Sequence, residues 1–134
     1  MTFNPPNITA LYAAVLGLLA AFLTVRVIVT RVRLKIDAGD GGNPVMQQAI
    51  RAHANLTEHV PIALILIALA EAGGARPLII HGLGAMLVVA RVASAWGLSH
   101  TLSLEGAGRK TGAGLTVLLI TVASLLILAR SVGL

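Results

Sequence analysis

The chain of 134 residues contains no cysteine, few aromatic residues and few charges. The lack of cysteine excludes disulfides, thiolate metal sites and a cysteine nucleophile. Aromatic residues make up 3% of the chain, which leaves little for stacking on bases and argues against a nucleic-acid-binding protein. Charged residues make up 11%, against roughly 25% in an average soluble domain.

Hydrophobic residues make up 57% of the chain, and they fall into four long apolar runs. About 20 consecutive apolar residues are enough for a helix to cross a bilayer. The sequence therefore predicts an all-α integral membrane protein, a four-helix bundle in which residues 1–134 form one domain. The predicted spans are 8–29, 44–72, 77–98 and 109–129.

Basic residues are concentrated on one side of these spans. The predicted first and third loops carry Arg31, Arg33, Lys35, Arg109 and Lys110, whereas the opposite side carries only Arg76 and Arg130. The positive-inside rule places both loops in the cytoplasm and both termini outside it. The lipid bilayer is thus the first expected partner of this chain.

Local signals predict how the first loop and the second helix are built. Glycine tolerates positive φ at low cost, so the stretch DGGN before Pro44 predicts a tight or flexible turn. Asn43 followed by Pro44 is typical of a helix start. In the first span, small residues recur at Ala13, Gly17 and Ala21, which suits close packing within the protomer or against another copy equally well.

An unusual polar stripe lies in the first half of the second span, ahead of Pro61, which we expect to kink the helix there. Arg51, Asn55 and Glu58 are spaced i, i+4 and i+7, so they share a narrow sector of the helix. Ionisable groups at membrane depth usually face a cavity or one another. Arg91, inside the third span, is the second unexpected charge.

Two interpretations of these residues remain open. In the structural one, Arg91 pairs with Glu58 and holds two helices together. In the functional one, Arg51 and Arg91 bind carboxylates, Glu58 binds an ammonium group and Asn55 binds an amide. A small peptide such as glutathione carries all of these groups. The histidines lack metalloprotease spacing, so we predict no metal site.

The segment RAHANLTEHVP, residues 51–61, resembles the RxxxNxxExxP signature of the MAPEG family. These are membrane-associated proteins in eicosanoid and glutathione metabolism, which include the microsomal glutathione transferases. The resemblance covers nearly the whole chain: four spans, short loops, a basic first loop and an arginine late in the third span. The short termini and the Gly-rich first loop are more similar to the bacterial branch, which implies an inner membrane.

The resemblance implies a homotrimer that binds glutathione as cosubstrate between neighbouring protomers, near the cytoplasmic face. By motif match, Arg51, Asn55, Glu58 and Arg91 would contact glutathione, and Arg31 is a weaker match to another ligand-binding arginine. His59 stands where catalytic relatives carry a tyrosine that contacts the ligand.

The residues expected to perform chemistry depart further from the family pattern. Ser94 and Leu98 stand where relatives carry tyrosines or similar donors. Glu105 falls near the position of a catalytic arginine, and a carboxylate there would oppose a thiolate. Ser94 and Arg109 are therefore the candidate catalytic residues, as stabilisers of the glutathione thiolate.

Three functions follow from these observations. The first is a glutathione transferase or peroxidase acting on a lipophilic small molecule that arrives from the bilayer. The second is a non-catalytic membrane protein that binds glutathione, a lipid or a small peptide in the same pocket. A small transporter ranks below both, because four short spans show no internal repeat.

Overall fold

The computed structural model describes residues 5–100 and 107–133, which form four helices. The helices are α1 (Asn7–Leu34), α2 (Pro44–Ala72), α3 (Pro77–His100) and α4 (Ala107–Ser131). All four are long and apolar enough to cross a membrane, so the prediction of an all-α protein with four spanning helices is confirmed. Helix α1 continues past the predicted span to Leu34, since its basic last turns remain helical beyond the apolar run.

Helices α2 and α3 form the centre of the bundle. Each of them contacts the other three helices, whereas α1 and α4 make no contact with each other over the described residues. The chain runs up and down, so the bundle has two ends. We call the end that holds the start of α1, the end of α2, the start of α3 and the end of α4 the Glu71 end, and the opposite one the Arg51 end.

The predicted loop and cap signals at the Arg51 end are confirmed. Asn43 is the N-cap of α2, and its side chain accepts hydrogen bonds from the backbone N–H groups of Val45 at 2.9 Å and Met46 at 3.3 Å. Gly39, Gly41 and Gly42 all have positive φ, which reverses the chain between α1 and α2. Pro61 lies inside α2, and the helix continues through it to Ala72.

The Glu71 end is closed by a carboxylate that caps a neighbouring helix. Helix α1 begins after Pro6, which supplies no side-chain cap for the free N–H groups of the first turn. Glu71 of α2 takes this place: its carboxylate accepts from the backbone N–H of Ile8 at 2.8 Å and of Thr9 at 2.7 Å, and from the Thr9 hydroxyl at 2.6 Å. The negative charge also complements the positive end of the α1 dipole.

Two further contacts tie the same end together. Arg130, near the end of α4, donates to the backbone carbonyls of Gly73 and Gly74 in the turn between α2 and α3. The hydroxyl of Tyr12 lies 2.9 Å from Nδ1 of His81. A Cβ atom on Gly84 would meet the Tyr12 ring at 2.2 Å, so this glycine allows α1 to approach α3.

Helix α1 uses only a narrow seam of its surface within the protomer. Its buried residues, Thr9, Leu16 and Leu23, recur every seventh position. Gly17 lies outside this seam, and a Cβ atom there would meet nothing within 4 Å. The small-residue face that includes Gly17 is therefore not a close-packed contact within one protomer, and it is left for lipid or for another copy of the chain.

Candidate functional site

The polar stripe of α2 divides into an inward and an outward part. Arg51 and Glu58 are about 20° apart around the helix, whereas Asn55 and Glu58 are about 60° apart. Accordingly, Arg51 and Glu58 pair with each other at the surface, with Nη1 and Oε1 3.9 Å apart and side chains that are 44% and 52% exposed. Asn55 is half-buried and turns toward α3.

Arg91 is the centre of a buried hydrogen-bond network that joins three helices. The residue is only 1% exposed. One terminal nitrogen, Nη1, donates to Asn55 Oδ1 at 2.9 Å and to the Asn55 carbonyl at 3.2 Å. The other, Nη2, donates to the Gly112 carbonyl at 3.0 Å and to the Thr116 hydroxyl. Arg91 thus connects α3 to both α2 and α4.

All of these partners are neutral oxygens, so the structural interpretation, in which Arg91 pairs with Glu58, is wrong. Glu58 points to the surface beside Arg51, because the inward sector at this level of α2 is occupied by Asn55. The four hydrogens on the two terminal nitrogens of Arg91 match the four bonds they make. Nε of Arg91 is buried without a hydrogen-bond partner among the described residues.

His59 belongs to the same network. Its Nδ1 lies 2.8 Å from the Asn55 carbonyl oxygen. Because a carbonyl oxygen only accepts, Nδ1 is the donor of this hydrogen bond. The Asn55 carbonyl therefore accepts from both His59 and Arg91, which holds this turn of α2 in one arrangement.

Ser94 lies one turn beyond Arg91, at the interface of α3 and α4. It is only 3% exposed. A Cβ atom on Gly112 would meet Ser94 Oγ at 1.9 Å and the Ala90 carbonyl at 2.6 Å, so the two helices touch here through a glycine. Arg109 lies in the first turn of α4, but its side chain is outside the described residues, as is Glu105.

A family model described as "MAPEG family" matches residues 9–129, which include the polar stripe, Arg91 and Thr116. The chain belongs to the MAPEG family. The resemblance found from residues 51–61 is thereby confirmed, and the chain is a multi-pass integral membrane protein.

Two relatives of this MAPEG protein are both named "Inner membrane protein YecN", one from Escherichia coli strain K12 and one from Escherichia coli O6:H1. Each is 35% identical over 95 residues, which cover 71% of this chain and 72% of the relative. Their name agrees with the expectation of an inner membrane and specifies no ligand or reaction.

Within this MAPEG chain, the predicted site residues separate into three groups. Asn55, His59 and Arg91 are joined by hydrogen bonds, and Arg51 and Glu58 form the exposed pair beside them. Arg31 lies apart from both: it donates to the carbonyls of Gly39 at 2.9 Å and Ile36 at 3.4 Å. In the protomer it therefore fastens the first loop.

Sequence reasoning missed Gly112 and Thr116, the α4 partners of Arg91. Their i, i+4 spacing puts them on one face of the helix, which is a weak signal for a shared contact. Thr121 and Ser124 give α4 the same kind of signal, so the sequence alone does not single out Thr116. Only the crossing of α3 and α4 decides which hydroxyl meets the arginine.

Proposed function

We propose that this MAPEG protein binds glutathione at the Arg51 end and activates its thiol toward lipophilic electrophiles, as a membrane glutathione transferase or peroxidase. The observation that carries the proposal is the exposed Arg51–Glu58 pair beside the buried Asn55–Arg91 network. A pair that is 3.9 Å apart and half-exposed is weak, so a ligand can replace it at little cost.

The chemistry of the pair fits one end of the ligand. The glutamyl end of glutathione carries a carboxylate and an ammonium group on the same carbon. The planar guanidinium of Arg51 suits the carboxylate, and the Glu58 carboxylate suits the ammonium. The two partners of the ion pair would then separate and each would bind the oppositely charged group of the ligand.

Asn55 supplies the matching group for a peptide bond. Its Oδ1 accepts from Arg91, so its amide nitrogen is directed away from the guanidinium, and its N–H groups can donate to a ligand carbonyl. Arg91 thus acts in this proposal as a positioning residue for Asn55, in place of the direct ligand contact that the family resemblance implied. His59 lies beside it and is held by its bond to the Asn55 carbonyl.

Assembly would complete the site. Glu58 lies well inside α2, and a half-exposed carboxylate at membrane depth needs a polar cavity or another protomer to cover it. The unoccupied small-residue face around Gly17 offers a second surface for such contact. Both features support a homotrimer in which a neighbour covers the pair and contributes Arg31. The basic residues of the first and third loops support an orientation with both termini outside the cytoplasm.

The thiolate would be stabilised by Ser94 or Arg109. Because Ser94 is buried against Gly112, Arg109 in the first turn of α4 is the stronger candidate of the two. The thiolate would attack an electrophile dissolved in the bilayer, forming a carbon–sulfur bond while the leaving group departs. The burial of Ser94 also favours the second function, a protein that binds glutathione without turning it over.

Isothermal titration of glutathione into detergent-purified protein tests the binding site. We expect saturable binding that Arg51→Ala weakens at least tenfold, because it removes a charge-assisted contact of roughly 1.5–3 kcal/mol. Arg76→Ala is the matched control, since Arg76 is an exposed arginine at the Glu71 end. Equal binding by the two variants, or no heat with the wild type, would refute the proposed site.

A conjugation assay with a chloronitrobenzene separates the two functions. Turnover that Arg109→Ala reduces while glutathione still binds would support the transferase. Saturable binding with no product, against several electrophiles, would instead support the non-catalytic binder. Native mass spectrometry of the same preparation tests the assembly: we expect three copies, and Gly17→Leu should reduce their association.

A further inference from the structure

A second groove lies between α1 and α3, also near the Arg51 end, and it shares no residue with the proposed glutathione site. Its volume is about 330 Å³, at the lower end of the roughly 300–1,000 Å³ typical of ligand pockets. Leu19, Phe22 and Leu23 of α1 line one side, and Val92, Ala95 and Trp96 of α3 line the other. The groove is therefore apolar along most of its length.

Polar groups lie together at one end of this groove. Arg26 donates through Nη1 to the Ser99 hydroxyl, and the Ser99 hydroxyl donates in turn to the Ala95 carbonyl. A guanidinium has five N–H donors, so one bond to Ser99 leaves the group able to hold an anion as well. None of the described residues that line the groove is acidic, so nothing in its walls neutralises Arg26.

His100 completes this polar end. Its ring packs on Trp96, with centroids 4.4 Å apart, and its Nδ1 lies 2.8 Å from the Trp96 carbonyl. Nδ1 therefore donates to that carbonyl and is not available to an anion, so Arg26 is the anion-binding group of this end. Trp96 itself is 69% exposed, which leaves one wall of the groove open to whatever surrounds the protein.

The depth of these residues in the membrane identifies the surrounding molecules. Helix α3 has 24 residues, about 36 Å of helix, slightly more than the roughly 30 Å of bilayer hydrocarbon. His100 is its last residue, so Ser99, His100 and the bonded Arg26 lie at the level of lipid headgroups. Trp96, one turn deeper, has the usual place of an interfacial aromatic residue.

We propose that this groove binds an anionic phospholipid, with one acyl chain between α1 and α3 and the phosphate on Arg26. An acyl chain fits an apolar groove that is open along the membrane. A basic group between spanning helices at headgroup level selects anionic over zwitterionic lipids. The lipid would also bridge α1 to α3 at the end where the Glu71 cap does not reach.

The single tryptophan of the chain lines the groove, so its fluorescence reports occupancy directly. The full-length protein is placed in phosphatidylcholine vesicles that contain a minor fraction of brominated phosphatidylglycerol, or the same fraction of equally brominated phosphatidylcholine. We expect the anionic lipid to reach a given quenching of Trp96 at roughly one-fifth of the mole fraction that brominated phosphatidylcholine requires. A preference of this size is typical of one interfacial basic residue. Equal quenching by both lipids would overturn the proposal.

Variants separate the charge of Arg26 from its structural bond to Ser99. Arg26→Gln should abolish the preference for the anionic lipid, whereas Arg26→Lys, which keeps the charge but not the planar fork, should retain it. Arg33→Gln is the matched control, an exposed arginine of α1 that does not line the groove, and it should behave like the wild type.

Three results would contradict the assignment. Arg26→Gln with an unchanged preference would show that Arg26 does not select the headgroup. If Arg33→Gln also lost the preference, the preference would come from a general attraction of anionic lipid to the basic surface and not from the groove. No quenching by either lipid would show that no acyl chain lies in the groove.

Discussion

The two acidic residues of α2, Glu58 at the middle of the helix and Glu71 in its last turn, are used in opposite ways. Glu71 accepts three hydrogen bonds from the first turn of α1, all between 2.6 and 2.8 Å. Glu58 makes one loose ion pair with Arg51 at 3.9 Å, and its side chain is half-exposed. Both are carboxylates on the same apolar helix, so the helix alone does not determine their roles.

The polar side chains of the Glu71 end find their hydrogen-bond partners within the protomer, whereas the surface charges of the Arg51 end do not. At the Glu71 end, Arg130 and His81 also have partners inside the protomer. At the Arg51 end, the interior is equally fixed by Arg91, but the surface residues hold charges that a ligand or another protomer can use. Stability and binding are therefore expected to respond to different residues.

The largest effect is expected for Gly112→Ala, which tests whether the interior of the Arg51 end is as rigid as the Glu71 end. The new Cβ would lie 2.6 Å from the Ala90 carbonyl and would collide with Ser94, so α3 and α4 would have to separate. Overpacking of this kind costs about 1–3 kcal/mol, and here the Arg91 network is strained as well. Thermal unfolding in detergent measures this loss of stability.

Gly114→Ala is the control for this change. A Cβ on Gly114 meets nothing within 4 Å, so the substitution should be neutral or stabilise the helix by up to about 1 kcal/mol. Equal melting temperatures for the two variants would show that α3 and α4 do not touch at Gly112.

Glu71→Gln is expected to have the next largest effect. The amide keeps one acceptor oxygen but sets an N–H donor against the N–H groups of the α1 start, and it removes the charge that complements the helix dipole. We expect a loss of about 1–2 kcal/mol in the free energy of unfolding, with glutathione binding unchanged. A variant as stable as the wild type would show that Glu71 is not the cap of α1.

Tyr12→Phe should have a smaller effect at the same end. It removes the hydrogen bond to His81 but leaves the aromatic ring over Gly84. The expected loss is about 1 kcal/mol, the usual net contribution of one hydrogen bond. Gly84→Ala, which displaces the ring itself, should be clearly worse in the same unfolding assay; the reverse order would contradict this packing.

Glu58→Gln should have the smallest effect on stability and a clear effect on binding. An exposed ion pair contributes at most about 1 kcal/mol, so the melting temperature should hardly change. Glutathione affinity, measured by titration, should fall because the ammonium group loses its carboxylate. If the variant instead unfolds as readily as Glu71→Gln with unchanged affinity, the contrast between the two ends is wrong.

Much of the fold follows from the sequence, because hydrophobic length and local signals determine it. Four apolar runs predict four helices, and Asn43, Pro44 and the glycines of the first loop predict how α2 begins. These features depend on neighbouring residues only. The signature that resembles the MAPEG family likewise lies in one contiguous segment, residues 51–61, and the family model that confirms it matches residues 9–129.

The partners across helices could not be predicted in the same way. The sequence shows that Arg91 needs oxygen atoms, but Glu58 was the wrong choice, since a 60° difference around α2 puts Asn55 inward instead. The sequence likewise does not predict the contact of His81 with Tyr12 or that of Glu71 with Thr9, because both contacts join residues more than 60 positions apart. Such pairs depend on how the helices cross.

The bonds of Arg91 also constrain how the protein is made. During synthesis α3 is complete before Gly112 and Thr116 exist, so the arginine would enter the membrane with only its Asn55 partners in place. An unpaired arginine at the centre of a single helix costs roughly 2.5–3.5 kcal/mol on insertion scales. Helix α3 gains its remaining partners only when α4 arrives, which favours insertion of the two helices together as a hairpin. A buried arginine whose two terminal nitrogens find all their partners only in the finished bundle thus favours one order of events in its biogenesis.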